Sequence, residues 1–191
     1  LRCPECPSGL RAFTRPTGML ENSFFKSTID QIKSHLHYLT FYFQGEPYLN
    51  PSFLDMVRYA SDNGIYTATS TNAHYLKDAM AKKTVESGLD RLIISIDGTT
   101  QETYQSYRIG GKLDKVIIGA KNVIRWKKEL NSPTPHIIFQ FLVVKPNEHQ
   151  IADVLALGKD VGVGEVRLKT AQVYEYENGN ELIPSIDKYS R

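Results

Sequence analysis

Arg91-Leu92-Ile93-Ile94-Ser95-Ile96-Asp97-Gly98 places four large aliphatic side chains in the five positions from Leu92 to Ile96, with no alternation of apolar and polar residues. A strand with one wet face alternates; a continuous apolar run is buried on both faces, as in a parallel sheet covered by helices. A strand is therefore predicted over 91–96, ending at Asp97-Gly98. Toward the N-terminus, Tyr75 to Glu86 reads as a helix closed by Gly88, and Ile65 to Ser70 as a β-branched strand ending in Thr71-Asn72. Pro51 to Asn63 is helical, with Phe53, Leu54, Val57 and Ala60 on one face and Gly64 as its C-cap. Leu39 to Phe43 is strand-like and stops at Gln44-Gly45-Glu46-Pro47, after a helix carrying Ile29, Ile32 and Leu36 behind Ser27 and Thr28. Toward the C-terminus, Thr99 to Gly111 is a polar loop or short helix containing Tyr104, Tyr107 and Arg108. Lys112 to Leu130 is a long amphipathic helix with Val116, Ile117, Ala120, Val123 and Ile124 inward. Strand Ile137 to Val144, helix Glu148 to Val161 and strand Glu165 to Lys169 follow. This alternation predicts parallel βα units, either barrel-like or doubly wound.

The whole chain fits one packed domain: 191 residues, 41% apolar and 23% charged. A net charge of +2, with Lys and Arg dispersed, gives no reason to expect nucleic acid or an anionic membrane as a partner. No apolar run approaches the roughly 18 residues of a membrane span. Two cysteines do not make a disulfide scaffold, so a reducing cytoplasm is the expected home. The chain opens without Met and in mid-motif, as expected of a piece cut from a longer protein. Its tail, Tyr174 to Arg191, is weakly patterned and either docks on the domain or leads to another.

Polar residues gather at the C-terminal ends of the predicted strands: Gln44 to Glu46, Ser70 to Asn72, Ser95 and Asp97, Lys145 and Asn147, Lys169 to Gln172. Ligands of α/β folds bind at this edge. Both cysteines lie in Leu1-Arg2-Cys3-Pro4-Glu5-Cys6-Pro7-Ser8-Gly9, each followed by proline, which favours extended geometry and argues against a tight helical start. A redox pair should follow a strand and open a helix, and no helix is expected before about Ser27. Zinc needs two further ligands, and His35 and His37 point to different sides of a helix. Iron–sulfur ligation needs at least one more cysteine than the chain owns.

In order along the chain, these segments resemble the radical S-adenosylmethionine (SAM) enzymes. Leu1 to Cys6 resembles the end of their Cys-x3-Cys-x2-Cys loop, with the first cysteine expected two positions before Leu1. Gly45-Glu46-Pro47 resembles the Gly-Glu-Pro motif, Thr69-Ser70-Thr71-Asn72 the ribose segment, and Ser95 to Gly98 with Tyr107-Arg108 the fourth-strand segment of the SPASM-containing branch. The resemblance implies a partial (β/α)6 TIM-like barrel over residues 1–172, its first strand lying before Leu1, and a C-terminal extension or linker over 173–191. It implies a [4Fe-4S] cluster and SAM as cofactors, with reductive cleavage of SAM giving a 5′-deoxyadenosyl radical that abstracts hydrogen from a peptide or small-molecule substrate. A flavodoxin- or ferredoxin-type electron donor goes with that chemistry.

Carried over residue by residue, Cys3 and Cys6 are cluster ligands, and Glu46, with the backbone of Gly45 and the turn at Pro47, receives the SAM ammonium. Ser70 and Asn72 lie near the ribose, Ser95 and Arg108 hold the carboxylate, and Val143, Asn147 and residues 170–172 lie near adenine. The chain departs from the family in carrying Glu5 where an aromatic residue is common, in lacking the first cysteine, and in showing no second Cys-rich segment before Arg191. With two thiols, it is expected to hold a cluster poorly and to have a mobile cysteine loop, and Leu39 to Phe43 should form an uncovered sheet edge. The competing expectation is a non-catalytic α/β nucleotide- or zinc-binding module that uses Cys3 and Cys6.

Overall fold

The computed structural model describes residues 1–14, 16–173 and 176–190. Arg15 and the tail residues Tyr174, Glu175 and Arg191 lie outside the described residues. Five parallel strands form one sheet: β1 (Tyr38–Thr40), β2 (Tyr66–Thr71), β3 (Arg91–Ser95), β4 (His136–Val143) and β5 (Glu165–Thr170). They lie side by side in chain order. A doubly wound sheet reverses its strand order at a switch point, so the unbroken order selects the other alternative, an arc of a TIM-like barrel.

The central strand behaves as its sequence requires. Leu92, Ile94 and Ile96 enter the main core with Val57, Leu76, Val116, Ala120 and Phe139, while Ile93 between them is buried on the other face. Each such aliphatic side chain stabilises the fold by about 1.5–3 kcal/mol relative to exposure. The covering helices are α3 (Phe53–Asp62), α4 (Asp78–Glu86), α6 (Leu113–Glu129) and α7 (Ile151–Val161). The described part of the tail docks: Lys145 N–H donates to the Leu182 carbonyl (3.1 Å), Ser185 N–H donates to Glu148 Oε2 (2.7 Å), and Tyr189 is buried in the main core. No helix among the described residues is long and apolar enough to cross a membrane.

Three local expectations need correction. A one-turn helix, α1 (Pro7–Leu10), follows Cys6 directly. The pre-proline rule still holds, because Cys6 is extended (φ −102°, ψ 117°) and serves as the N-cap, while Pro7 occupies a position whose N–H a helix does not use. Helix α2 (Asn22–Ile32) begins earlier than the caps at Ser27 and Thr28 suggest, because Phe25 pairs with Ile29 one turn later against Met56, Ala60 and Ile65; Ile32 is left exposed. Strand β1 is only three residues long. After Phe41 N–H donates to the Ala68 carbonyl (2.8 Å) the backbone leaves the sheet, and Phe43 is 91% exposed. β1 has no strand on its outer side among the described residues. The segment 99–111 resolves into helix α5 (Gln101–Tyr107), capped by Thr100, whose Oγ1 accepts from Thr103 N–H (3.3 Å).

Candidate active site

At the C-terminal rim of the sheet lies a cavity of about 320 Å³. It brings together Cys3 and Cys6 from the first loop, Gly45 and Glu46 after β1, Ser70 and Asn72 at the end of β2, Ser95 at the end of β3, and Arg108 after α5. Pro47, Val143, Asn147 and residues 170–172 do not line it. Pro47 starts the turn Pro47–Leu49 and lines a neighbouring cavity walled by Phe13, Met19, Phe41 and Leu49. Val143 and Asn147 are fully buried away from the cavity, Val143 in the core.

The cysteine loop is held from several sides. Cys6 N–H donates to the Cys3 carbonyl (3.2 Å), Arg2 N–H to the Ile109 carbonyl (3.1 Å), and Asn180 Nδ2 to Glu5 Oε1 (3.3 Å). Cys3 is only 6% exposed, so the loop expected to be mobile is docked. A Cβ at Gly9 would lie 2.7 Å from both Cys3 N and Cys3 O, so this turn closes only over glycine. Burial pushes the Cys3 thiol above its ordinary pKa, and Arg108 opposes that shift.

Glu46 occupies the opposite wall. Its carboxylate accepts from Thr71 Oγ1 (2.7 Å), Asn72 N–H (2.9 Å) and Tyr48 N–H (3.3 Å), tying the loop after β1 to the end of β2. Burial raises its pKa against the pull of these donors. Gly45 makes the turn at φ +87°. Asn72 is fixed by His74, whose N–H donates to Asn72 Oδ1 (3.0 Å) and whose ring Nδ1 faces the Asn72 carbonyl (2.8 Å). Lys112 N–H donates to His74 Nε2 (2.9 Å), which assigns the ring proton to Nδ1. Burial lowers the His74 pKa, so the ring stays neutral.

Behind Arg108, on the third wall, lies the residue whose role the sequence did not disclose. Asp97 is fully buried and pairs through Oδ2 with Arg108 Nε. Its Oδ1 accepts from Leu142 N–H (2.7 Å) on β4 beyond the last residue of β3, so a side chain takes over where the ladder ends. Asn147 clamps the corner, donating through Nδ2 to the carbonyls of Asp97 (3.1 Å) and Leu142 (2.8 Å) and accepting from Val144 N–H (2.8 Å). Arg108 Nη1 reaches Cys3 Sγ at 3.6 Å. Burial disfavours the guanidinium charge, yet Asp97 and Cys3 outweigh it and raise its pKa above the ordinary value. The signal available in the sequence was Gly98: a Cβ there would lie 2.3 Å from Tyr104 N, so α5 must sit directly on the Asp97 corner.

The cavity thus presents two thiols, a half-buried carboxylate and a fixed cation. Thiolates suit soft metals, and a cation and an anion on opposite walls suit an amino acid group. Among the described residues no three His, Cys, Asp or Glu side chains gather for a metal, so a closed zinc site is not assembled. Two thiols on one cavity fit as part of a three-cysteine cluster loop.

The Radical SAM superfamily profile matches residues 1–158, and the chain belongs to this family of enzymes. Its relatives agree with the SPASM-type branch. It is 28% identical over 165 residues to the AdoMet-dependent heme synthase of Methanosarcina barkeri (85% of this chain, 44% of that protein). It is 24% identical over 196 aligned residues to the PqqA peptide cyclase of Bradyrhizobium diazoefficiens (97% and 48%). The fold resembles that of anSMEcpe with bound AdoMet, with a TM-score of 0.75 at 17% identity over 100% of this chain and 50% of that one. The chain spans about half the length of the curated relatives it matches.

Proposed function

We propose that this chain is the core of a radical SAM oxidoreductase or maturase. Residues 1–172 make up the barrel, and 173–191 a C-terminal extension or linker. The observation that carries the reading is the single cavity that gathers residues from four separate segments, each resembling a different family motif. Cys3 and Cys6 would hold two irons of a [4Fe-4S] cluster. Glu46 receives the SAM ammonium, Ser95 and Arg108 its carboxylate, and Ser70 and Asn72 its ribose. Val143, Asn147 and residues 170–172 are assigned near adenine by strand position alone. When bound, the cluster supplies an electron to the SAM sulfonium, whose cleavage yields the 5′-deoxyadenosyl radical that takes hydrogen from the substrate. The chain's own groups bind, orient and charge-match the cofactor.

A peptide is the proposed substrate, supported by the relative named as a peptide cyclase; the haem synthase relative marks small molecules as the other class. A flavodoxin- or ferredoxin-type donor in the cytoplasm supplies the electron. Anaerobic reconstitution of the full-length protein with iron and sulfide, followed by reductant and SAM, should release 5′-deoxyadenosine. A cluster-loaded sample that releases none would overturn this function.

A further inference from the structure

Arg108 touches two partners at once. Its Nε is paired with the buried Asp97 carboxylate and its Nη1 lies 3.6 Å from Cys3 Sγ. A guanidinium is a planar fork, so fixing Nε fixes the direction of both Nη groups. Asp97 cannot itself swing, because its other oxygen is committed to Leu142 N–H and its carbonyl to Asn147 Nδ2. The cysteine loop is tied to the same segment by Arg2 N–H donating to the Ile109 carbonyl (3.1 Å), one residue past the arginine. Sulfur, guanidinium and carboxylate therefore form one rigid line running from the cavity into the β3–β4 corner.

We propose that Asp97 is a positioning residue that holds Arg108 as a charged hydrogen-bond donor to the Cys3 sulfur, and that this contact raises the reduction potential of the iron–sulfur site. The inference rests on the proposed function, since it concerns a site that Cys3 helps to build. A donor to a ligating sulfur withdraws electron density from it and favours the more negative, reduced state, and hydrogen bonds to sulfur are among the levers that set such potentials. A cation 3.6 Å away in a mostly buried setting acts in the same direction. Arg108 then serves the site twice, through cofactor charge on one side and cluster potential on the other.

The experiment is redox titration, followed by electron paramagnetic resonance, of the anaerobically reconstituted full-length protein without SAM. Arg108→Gln should lower the midpoint potential, with a shift of about tenfold in the reduction equilibrium, about 59 mV for one electron. Arg108→Lys, which keeps the charge but not the fork, should fall between the two and guards against a variant that fails to load. Asp97→Asn gives the decisive sign. Removing a negative charge by itself makes reduction easier and raises the potential, whereas releasing Arg108 from Cys3 lowers it. A lowered potential in Asp97→Asn supports positioning; a raised one overturns it. A cluster-loaded protein that makes 5′-deoxyadenosine but keeps its wild-type potential in all three variants overturns this inference and leaves the proposed function standing. A wild-type protein that takes up no cluster overturns both.

Discussion

Two carboxylates stand at the rim of the sheet, one fully buried and one half-buried, and they are satisfied in opposite ways. Asp97, at the β3–β4 corner, is paired with a cation, Arg108, and with one backbone N–H. Glu46, at the β1–β2 side, accepts from three neutral donors, and among the described residues no cation pairs with it. Neutral donors hold a carboxylate in place without cancelling its charge. Asp97 is therefore held in a direct ion pair, while Glu46 lines the cavity with no direct ion pair among the described residues; burial raises its pKa, and its three donors and the more distant charge of Arg108 oppose that shift. The contrast indicates which of the two can receive an ammonium group, something that residue type alone does not.

The most severe way to break this contrast is Asp97→Ala. Removing one member of a buried ion pair leaves the other uncompensated and costs about 3–5 kcal/mol; urea unfolding should register a loss of that order, and a loss no larger than that of Glu46→Gln would undo the distinction. Gly9→Ala should come next. Its Cβ meets the Cys3 backbone, and overpacking of this kind costs about 1–3 kcal/mol. Iron uptake by the full-length protein should fall while the far-ultraviolet circular dichroism is retained. Glu46→Gln should cost the fold about 1–2 kcal/mol, because an amide oxygen at the Oε1 position still accepts from Thr71 Oγ1 and Tyr48 N–H while the amide NH2 at the Oε2 position loses the bond from Asn72 N–H. Its SAM affinity, measured by equilibrium dialysis of the cluster-loaded protein, should drop at least about tenfold, or 1.4 kcal/mol.

The smallest effect is a pH dependence on the Glu46 side, where neutral His74 fixes Asn72. Because burial lowers the folded-state pKa of His74, the unfolded chain binds its proton first as pH falls. Stability from this group is full above the unfolded value, about 6.5, and is lost as pH drops through and below it. Denaturant midpoints from pH 7.5 to 5 should show that slope in the wild type and a reduced slope in His74→Gln. An unchanged slope would remove His74 from the account.

Much of this was legible before any coordinates. The apolar run Leu92 to Ile96 gave the parallel sheet, and the strand-end residues Glu46, Ser70, Asn72 and Ser95 do share one cavity, because alternation and turn chemistry are local properties. The partnership of Asp97 with Arg108 was not legible, since it depends on α5 folding back across eleven positions. Asn147 looked like a rim residue but spends its amide on three backbone groups, a choice set by where β4 leaves the sheet. Helix α1 was hidden because one proline can both keep its predecessor extended and open a helix.

The seating of α5 has a consequence for how this chain can change in length. Arg108 is the C-cap of a seven-residue helix whose middle, at Thr103 and Tyr104, is pressed onto Gly98. That helix works as a ruler: one residue added or removed would turn its end by about 100° and move it about 1.5 Å. Arg108 would then face away from both Asp97 and Cys3. The interval from Gly98 to Arg108 therefore has a fixed count.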